Sequence, residues 1–271
     1  MSRRFVARSV SVVLADNPGA MTLQGTNTWV LQAPPAAGVG QGGAVVVDPG
    51  PHLAEHVDRL VGVGPIELVL ITHRHGDHTD ALDELHERTG APVRAFLPEY
   101  CRAAAPVRGG EVVDAGGLCI QVVHTPGHTA DSLCFVTTDS ADDGTVQRLV
   151  LTGDTVLGRG TTMIDHPDGT VADYLASLDR LVALASGPGK TLGLPGHGDV
   201  LPDLASACST LHKHRLGRAA EVRAVLQQLG ADTTVEQLTE RIYPDVPGGA
   251  RQAALRSIEA QLAYVNSTNY S

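Results

Sequence analysis

The chain has 271 residues, 42% hydrophobic and 18% charged, with a formal net charge of −10. That apolar content excludes a disordered chain, and the length fits one large domain or two unequal ones, because single cores stop growing near ~250–300 residues. No apolar run approaches the ~20 residues that span a bilayer, so no membrane partner is expected, and the acidic balance weighs against a protein that mainly coats nucleic acid.

Arg3, Arg4 and Arg8 precede a short Val-rich stretch. It lacks a clear small-residue cleavage site and reads as an opening strand rather than a signal peptide. Val10–Leu14, Asn27–Leu31, Ala44–Val47 and Ile66–Ile71 follow as strands, with an exposed hairpin tip at Pro34–Gly43. His52–Val61 and His78–Arg88 read as helices, the second stopped by Gly90 and Pro92. Further strands are expected at Pro92–Phe96, Leu118–His124, Leu133–Thr137, Gln147–Leu151 and Thr191–Leu194, with a helix at Val171–Ala185. Gly187–Thr191 resembles a phosphate-binding loop only superficially: Leu184 stands where that loop needs glycine, and the segment precedes a strand. Many consecutive strands with interspersed helices fit a layered α/β sandwich better than one parallel sheet.

From Leu204 the pattern is helical: Ala205–Leu229, Thr233–Ile242 with a capping-box spacing of Thr233 and Glu236, and Gly249–Val265. Charge changes at the same place. Residues 1–203 carry 13 Lys/Arg against 24 Asp/Glu, whereas residues 204–271 carry 7 against 6. Two units are therefore expected, 1–203 and 204–271. In the second, His212, Lys213, His214, Arg215, Arg218 and Arg223 form a local basic stripe, read either as a solvated face or as a contact for single-stranded RNA. Cys101, Cys119, Cys134 and Cys208 show no C-x-x-C spacing and read as buried free thiols, which makes cytoplasmic residence the default.

The placement of the twelve histidines carries the chemistry. His73-Arg74-His75-Gly76-Asp77-His78 directly follows an apolar strand. His128, Asp154 and His197 each lie just past another apolar strand and a Gly turn, at Gly127, Gly153 and Gly196. This repeated layout brings the side chains to one rim of a rigid sheet. The bland alternative is a solvated His-rich loop, which does not explain the three strand-end repeats. Imidazoles and carboxylates without thiolate supply enough donors for two divalent ions, zinc first, with manganese or iron as alternatives.

These residues resemble the metallo-β-lactamase-fold hydrolase superfamily, whose hallmark is H-x-H-x-D-H, over roughly residues 10–203. The resemblance implies an αββα sandwich with the site at one sheet edge. By it, His73, His75 and His128 would hold one metal, Asp77, His78 and His197 the second, and Asp154 would bridge them. Asp48 matches the family's orienting carboxylate. Thr22–Thr28 and Gly153–Thr162 are similar to the lactamase-β-like subgroup, which carries a C-terminal winged-helix domain, and the helices around Ile242-Tyr243-Pro244 resemble that module. Some members are single-strand endoribonucleases.

The function expected is that of a dinuclear metal-dependent hydrolase in which a metal-bridging hydroxide attacks an ester, thioester, amide or phosphodiester. Asp77 is a candidate proton donor to the leaving group, and Asn27, Thr161 and Thr162 are candidate substrate contacts. The substrate is a small molecule or single-stranded RNA. A glyoxalase II-like thioesterase and an endoribonuclease are the main alternatives. A true β-lactamase, a mono-iron persulfide dioxygenase and a non-enzymatic nucleic-acid binder rank below them. A flavodiiron-type oxidoreductase is disfavoured by His75, where that class has Glu.

Overall fold

The computed structural model describes residues 3–35, 42–140, 144–187, 189–230, 232–245 and 251–268. One sheet runs in the order β1 (Arg4–Phe5), β2 (Val10–Leu14), β3 (Asn27–Leu31), β4 (Ala44–Val47), β5 (Ile66–Leu70) and β6 (Val93–Arg94). It is antiparallel from β1 to β4 and parallel from β4 to β6. The parallel pairs require crossovers. Helix α1 (Ala54–Val61) links β4 to β5, and helices α2 (Gly76–Thr79) and α3 (Leu82–Thr89) link β5 to β6.

The second sheet contains β7 (Val112–Ala115), β8 (Leu118–His124), β9 (Leu133–Ser140), β10 (Val146–Gly153) and β11 (Thr191–Pro195), in the order β11-β10-β9-β8-β7. Only β10 and β11 are parallel, joined by α4 (Val171–Ala185). The chain then continues as α5 (Leu204–Leu229), α6 (Val235–Ile242) and α7 (Arg251–Thr268).

Strand periodicity explains the layering. In β2, Val10 and Val12 enter the core between the sheets, while Val13 faces the helices outside. Likewise, Val45 and Val47 of β4 point inward and Val46 outward. Both faces are buried, so β4 is continuously apolar and β2 is interrupted only by Ser11. The inner core adds Trp29, Leu70, Phe135, Leu149 and Leu151. One outer core packs Leu60 of α1 and Leu85 of α3 on the first sheet, and the other packs Tyr174, Leu178 and Leu181 of α4 on the second. The result is the expected αββα sandwich.

Helix α5 belongs to two cores. Leu204, Cys208 and Leu211 join the α4 core, whereas Ala219 and Val222 pack with Leu238, Ile258 and Val265 of α6 and α7. Among the described residues from 204 onward the regular elements are all helices, with no strand. The helices expected there are present, and the wing of a winged helix is not found among the described residues.

Several boundaries differ from expectation for local reasons. The helix expected over His78–Arg88 is two helices, because Gly50 N–H donates to the His78 carbonyl and Gly50 O accepts from Ala81 N–H. The capping box lies one residue later than expected: Thr234 accepts from Gln237 N, and Gln237 Oε1 accepts from Thr234 N. Most of the tip expected at Pro34–Gly43 (36–41) and the Gly249 start of the last helix lie outside the described residues. Cys134 and Cys208 are buried, but Cys119 is exposed on the solvent face of β8, against the expectation of buried thiols. None of the described helices is long and apolar enough to cross a membrane.

Candidate metal centre

Strand register assembles the site. Val47 pairs with Leu70, so Asp48 and Thr72 emerge side by side from β4 and β5. Gly153 pairs with Pro195, so Asp154 and His197 emerge together from β10 and β11. The two sheets are tied at this edge by Asn27 N to Gly196 O (2.7 Å) and Leu133 N to Thr72 O (2.8 Å). Gly196 is required by a close approach: a Cβ there would lie 2.5 Å from Asp154 Oδ1 and 2.7 Å from His78 Cε1.

Three groups of side chains converge closely enough to hold cations: His73, His75 and His128; His73, His78 and Asp154; and Asp77, His78 and His197. Within the first, His75 Nδ1 lies 3.2 Å from His73 Nε2 and 3.0 Å from His128 Nε2. Within the last, His197 Nε2 lies 3.3 Å from His78 Nε2 and 3.1 Å from Asp77 Oδ2. Asp154 stands between the groups, with Oδ1 3.5 Å from His78 Nε2 and Oδ2 3.3 Å from His197 Nε2. Its Oδ1 is buried and has no hydrogen-bond partner.

The outer nitrogen of every imidazole settles what the inner one offers. His73 Nδ1 meets Thr72 Oγ1 at 3.0 Å, a hydroxyl that itself donates to Asp48 Oδ2. His75 Nε2 faces Asp165 Oδ2 at 3.4 Å, and His128 Nδ1 faces Met163 O at 2.5 Å. His78 Nδ1 meets Asp48 Oδ2 at 2.9 Å, and His197 Nδ1 meets Gly25 O at 3.2 Å. Each outer nitrogen therefore carries a proton, and the five inner nitrogens are left crowded together to share whatever protons or cations lie between them. Lone pairs at such separations repel unless a positive charge lies between them. With the unpaired Asp154 oxygen and an all N/O donor set, the residues fit a dinuclear metal site.

The electrostatics agree. Burial, reinforced by neighbouring imidazoles, holds the His73 pKa well below its usual range. Burial likewise lowers that of His128 to about 4, so both rings are neutral at physiological pH. Burial opposes charge on His197, but the Asp154 and Asp77 carboxylates outweigh it and push its pKa up to about 10. Burial also opposes ionisation of Asp77, yet the His197 hydrogen bond and the His78 charge outweigh it and keep its pKa low. Without a cation, a proton stands in at His197.

The cluster opens into a cavity of about 240 Å³, lined on its outer side by Met21, Leu23, Leu157, Arg159, Thr161, Thr162 and Met163. A larger hollow of about 550 Å³, lined by Phe96, Arg108, His124 and Arg180, holds none of the clustered side chains. Thr161 and Thr162 both line the cavity at the cluster, Thr161 exposed and Thr162 buried with its hydroxyl 3.0 Å from His128 Nδ1. Asn27 does not line the cavity: it is buried, its amide donating to Pro195 O (3.0 Å) and Gly198 O (2.9 Å). It staples the His197 loop instead.

Asp165 and Thr72 are site residues that the sequence did not single out, and Thr26, inside the Thr22–Thr28 motif, had no expected role in the site. Thr26 Oγ1 donates to Asp77 Oδ2 at 3.1 Å, and Asp165 reaches His75 from 90 residues away. Neither carries a spacing signal; only the position of Asp165 in the loop after Asp154 could have flagged it. The three arginines of the basic stripe do not form a free cationic face, although Lys213 and His214 are exposed. Arg215 is 3% exposed, Arg218 pairs with Glu221 at 2.6 Å and lies over the Tyr243 ring, and Arg223 donates to Thr268.

Comparison with known proteins agrees with this geometry. A "Beta-lactamase-like protein 2 homolog" of Caenorhabditis elegans is 30% identical over 268 residues, covering 94% of this chain and 83% of the relative. An "Atrochrysone carboxyl ACP thioesterase" of Aspergillus novofumigatus is 31% identical over 260 residues, covering 90% and 74%. The crystal structure of a beta-lactamase domain protein from Burkholderia ambifaria superposes with a TM-score of 0.78 at 22% identity, covering 98% of this chain and 88% of that one. The profile of the metallo-beta-lactamase superfamily matches residues 21–197. That span takes in every clustered histidine and aspartate from His73 to His197, and the chain belongs to the metallo-beta-lactamase superfamily as a metal-dependent hydrolase.

Proposed function

We propose that the chain hydrolyses an acyl thioester, with residues 1–203 forming the catalytic unit and residues 204–271 an appended helical one. His73, His75 and His128 would hold one divalent cation and Asp77, His78 and His197 the other, with Asp154 shared between them. Zinc suits this donor set best, and manganese or iron share its N/O preference. Bound there, the ions would supply Lewis-acid polarisation of the acyl carbonyl and activation of water at neutral pH.

The observation that carries the thioester reading is what the cavity lacks. Apart from the candidate ligands, Arg159 is the only titratable side chain among the described residues that line it. Asp77 is held ionised by His197 and His78, which suits a ligand and not the proton donor expected from sequence. Amine and alkoxide leaving groups need a proton as they depart. A thiolate does not, because a free thiol ionises near pH ~8.5. The thioesterase name of the Aspergillus relative supports the same reading.

The chain's own residues then have separate tasks. Met21, Leu23, Leu157 and Met163 offer an apolar wall to the acyl group. Arg159 is exposed at the rim, and no hydrogen bond or ion pair to another described residue holds its guanidinium. It would meet an anionic group of the substrate. Thr26 keeps Asp77 turned inward, and Asp48 fixes both Thr72 and His78. Parallel assays on an acyl thioester, a chromogenic lactam and single-stranded RNA test the reading. Thioester turnover well above the other two is expected, and turnover of RNA or lactam alone would overturn it.

A further inference from the structure

The His75 and His128 imidazoles are both set by one short segment, Thr162–Asp165. Thr162 Oγ1 lies 3.0 Å and Met163 O 2.5 Å from His128 Nδ1. Asp165 N–H donates to the His128 carbonyl at 2.9 Å, and Asp165 Oδ2 faces His75 Nε2. The segment has no place in either sheet, so its own position must come from elsewhere.

Ile164 anchors it in the α4 core, and the C-terminal helices supply the polar contacts that fix the residues on either side. Arg215, on α5, donates to the Thr162 carbonyl. Its guanidinium lies 5.4 Å from the centre of the Tyr174 ring, which shelters it inside the protein. Arg256, on α7, donates to Asp165 Oδ1 at 3.1 Å. Arg74, placed between His73 and His75, grips the other Asp165 oxygen at 2.5 Å and also reaches Asp168 at 3.3 Å. Asp165 therefore joins the histidine-bearing loop to α7, while Thr162 joins His128 to α5.

Arg215 is the informative residue. A guanidinium that is 3% exposed, with its Nε lacking any partner, is a poor way to hold helices together. An apolar side chain of similar length would pack there at least as well. What an apolar side chain cannot do is hold the Thr162 carbonyl, and with it the Thr162 hydroxyl and the Met163 carbonyl against His128.

We propose that Arg215 and Arg256 are positioning residues, through which the C-terminal helices hold His75 and His128 in the geometry that binds a cation. This rests on the metal-site reading above. In this view the appended helices need no ligand of their own: they complete the His73–His75–His128 group, and they leave Asp77 and His78, on α2, and His197, past the end of β11, without such support from these arginines.

The test is cobalt(II) binding to full-length protein, by competition with a chromophoric chelator, alongside thermal unfolding of the metal-free protein. For Arg215→Met, one of the two binding steps is expected to weaken about tenfold or more, the scale seen when partners of a ligating histidine are lost. The unfolding temperature should stay near that of wild type. Arg215→Lys, which keeps a donor, should recover part of the affinity. Arg256→Met, at a solvent-facing position, should weaken the same step by less, and combined with Asp165→Asn the losses should not add, since both act through one contact. Affinity unchanged in both Met variants overturns the proposal, as does a loss in both that follows unfolding temperature alone. If Arg215→Met does not fold, Arg256→Met decides by itself. Failure of wild type to bind cobalt at all overturns the metal-site reading instead.

Discussion

Asp48 Oδ2 lies 2.9 Å from His78 Nδ1 and accepts from Thr72 Oγ1 at 2.7 Å, while Oδ1 accepts from Thr72 N. One carboxylate thus orients a candidate ligand and the strand end that leads to His73. Asp48→Asn places an amide N–H against one of three donors. Metal affinity should fall about 10–100-fold, and the metal-free protein should lose about 1–3 kcal/mol from a buried donor left unpaired. Chelator competition and urea unfolding measure the two; undiminished affinity would remove Asp48 from the site.

Metal loading should release a proton. A ligating imidazole must be neutral, and the carboxylates Asp154 and Asp77 raise the His197 pKa to about 10 despite its burial. Calorimetric titration at pH 7–8, in buffers of different ionisation enthalpy, should show at least one proton expelled, since His197 holds one there and Asp154, Asp48 and Asp77 also raise the His78 pKa against its burial. The sign for stability follows from the His197 shift. A histidine whose folded pKa is raised stabilises fully below its unfolded value of 6.5 and loses that contribution as pH rises through about 10. Metal-free protein should therefore unfold at lower temperature at pH 10 than at pH 6.5 from this group, and His197→Gln should flatten that slope.

Arg159 offers a graded test of substrate class. For a thioester that carries a phosphate or carboxylate, Arg159→Ala should raise KM about 1.4- to fivefold, the ~0.2–1 kcal/mol of an exposed ion pair. Arg159→Glu should raise it further. Because Arg159 bonds none of the clustered side chains, kcat should hold, and a neutral thioester should respond to neither substitution. Equal effects on both substrates would deny Arg159 a role in charge recognition.

Phe135 is fully buried between the two sheets. Phe135→Ala should destabilise the protein by about 3–5 kcal/mol through lost burial and the cavity left behind. Urea unfolding reads this directly, and a loss under ~1 kcal/mol would mean that the sheets close over the gap.

The centre was more legible in the sequence than its supports. His73, His75, Asp77 and His78 sit within six residues, and His128, Asp154 and His197 each follow an apolar strand, so chain order alone reported convergence. The strands were readable for the same reason: burial on both faces makes Ala44–Val47 apolar throughout. β7 went unread although Gly116-Gly117, both at positive φ, marks its tight turn to β8. Asp165, Arg215 and Asn27 were not legible, because they act on backbone carbonyls or on partners far along the chain. Arg215 looked like surface charge beside Lys213 and Arg218; which helix face turns inward depends on Tyr174 of α4, and no local pattern records that.

Metal content joined to turnover tests the central claim most directly. Wild-type protein should carry two divalent ions per chain, lose thioester hydrolysis on chelation and regain it when zinc is restored, while Asp154→Ala stays inactive under every condition. Hydrolysis that survives complete chelation, or an active Asp154→Ala protein, would show that the His and Asp cluster is not the seat of the reaction.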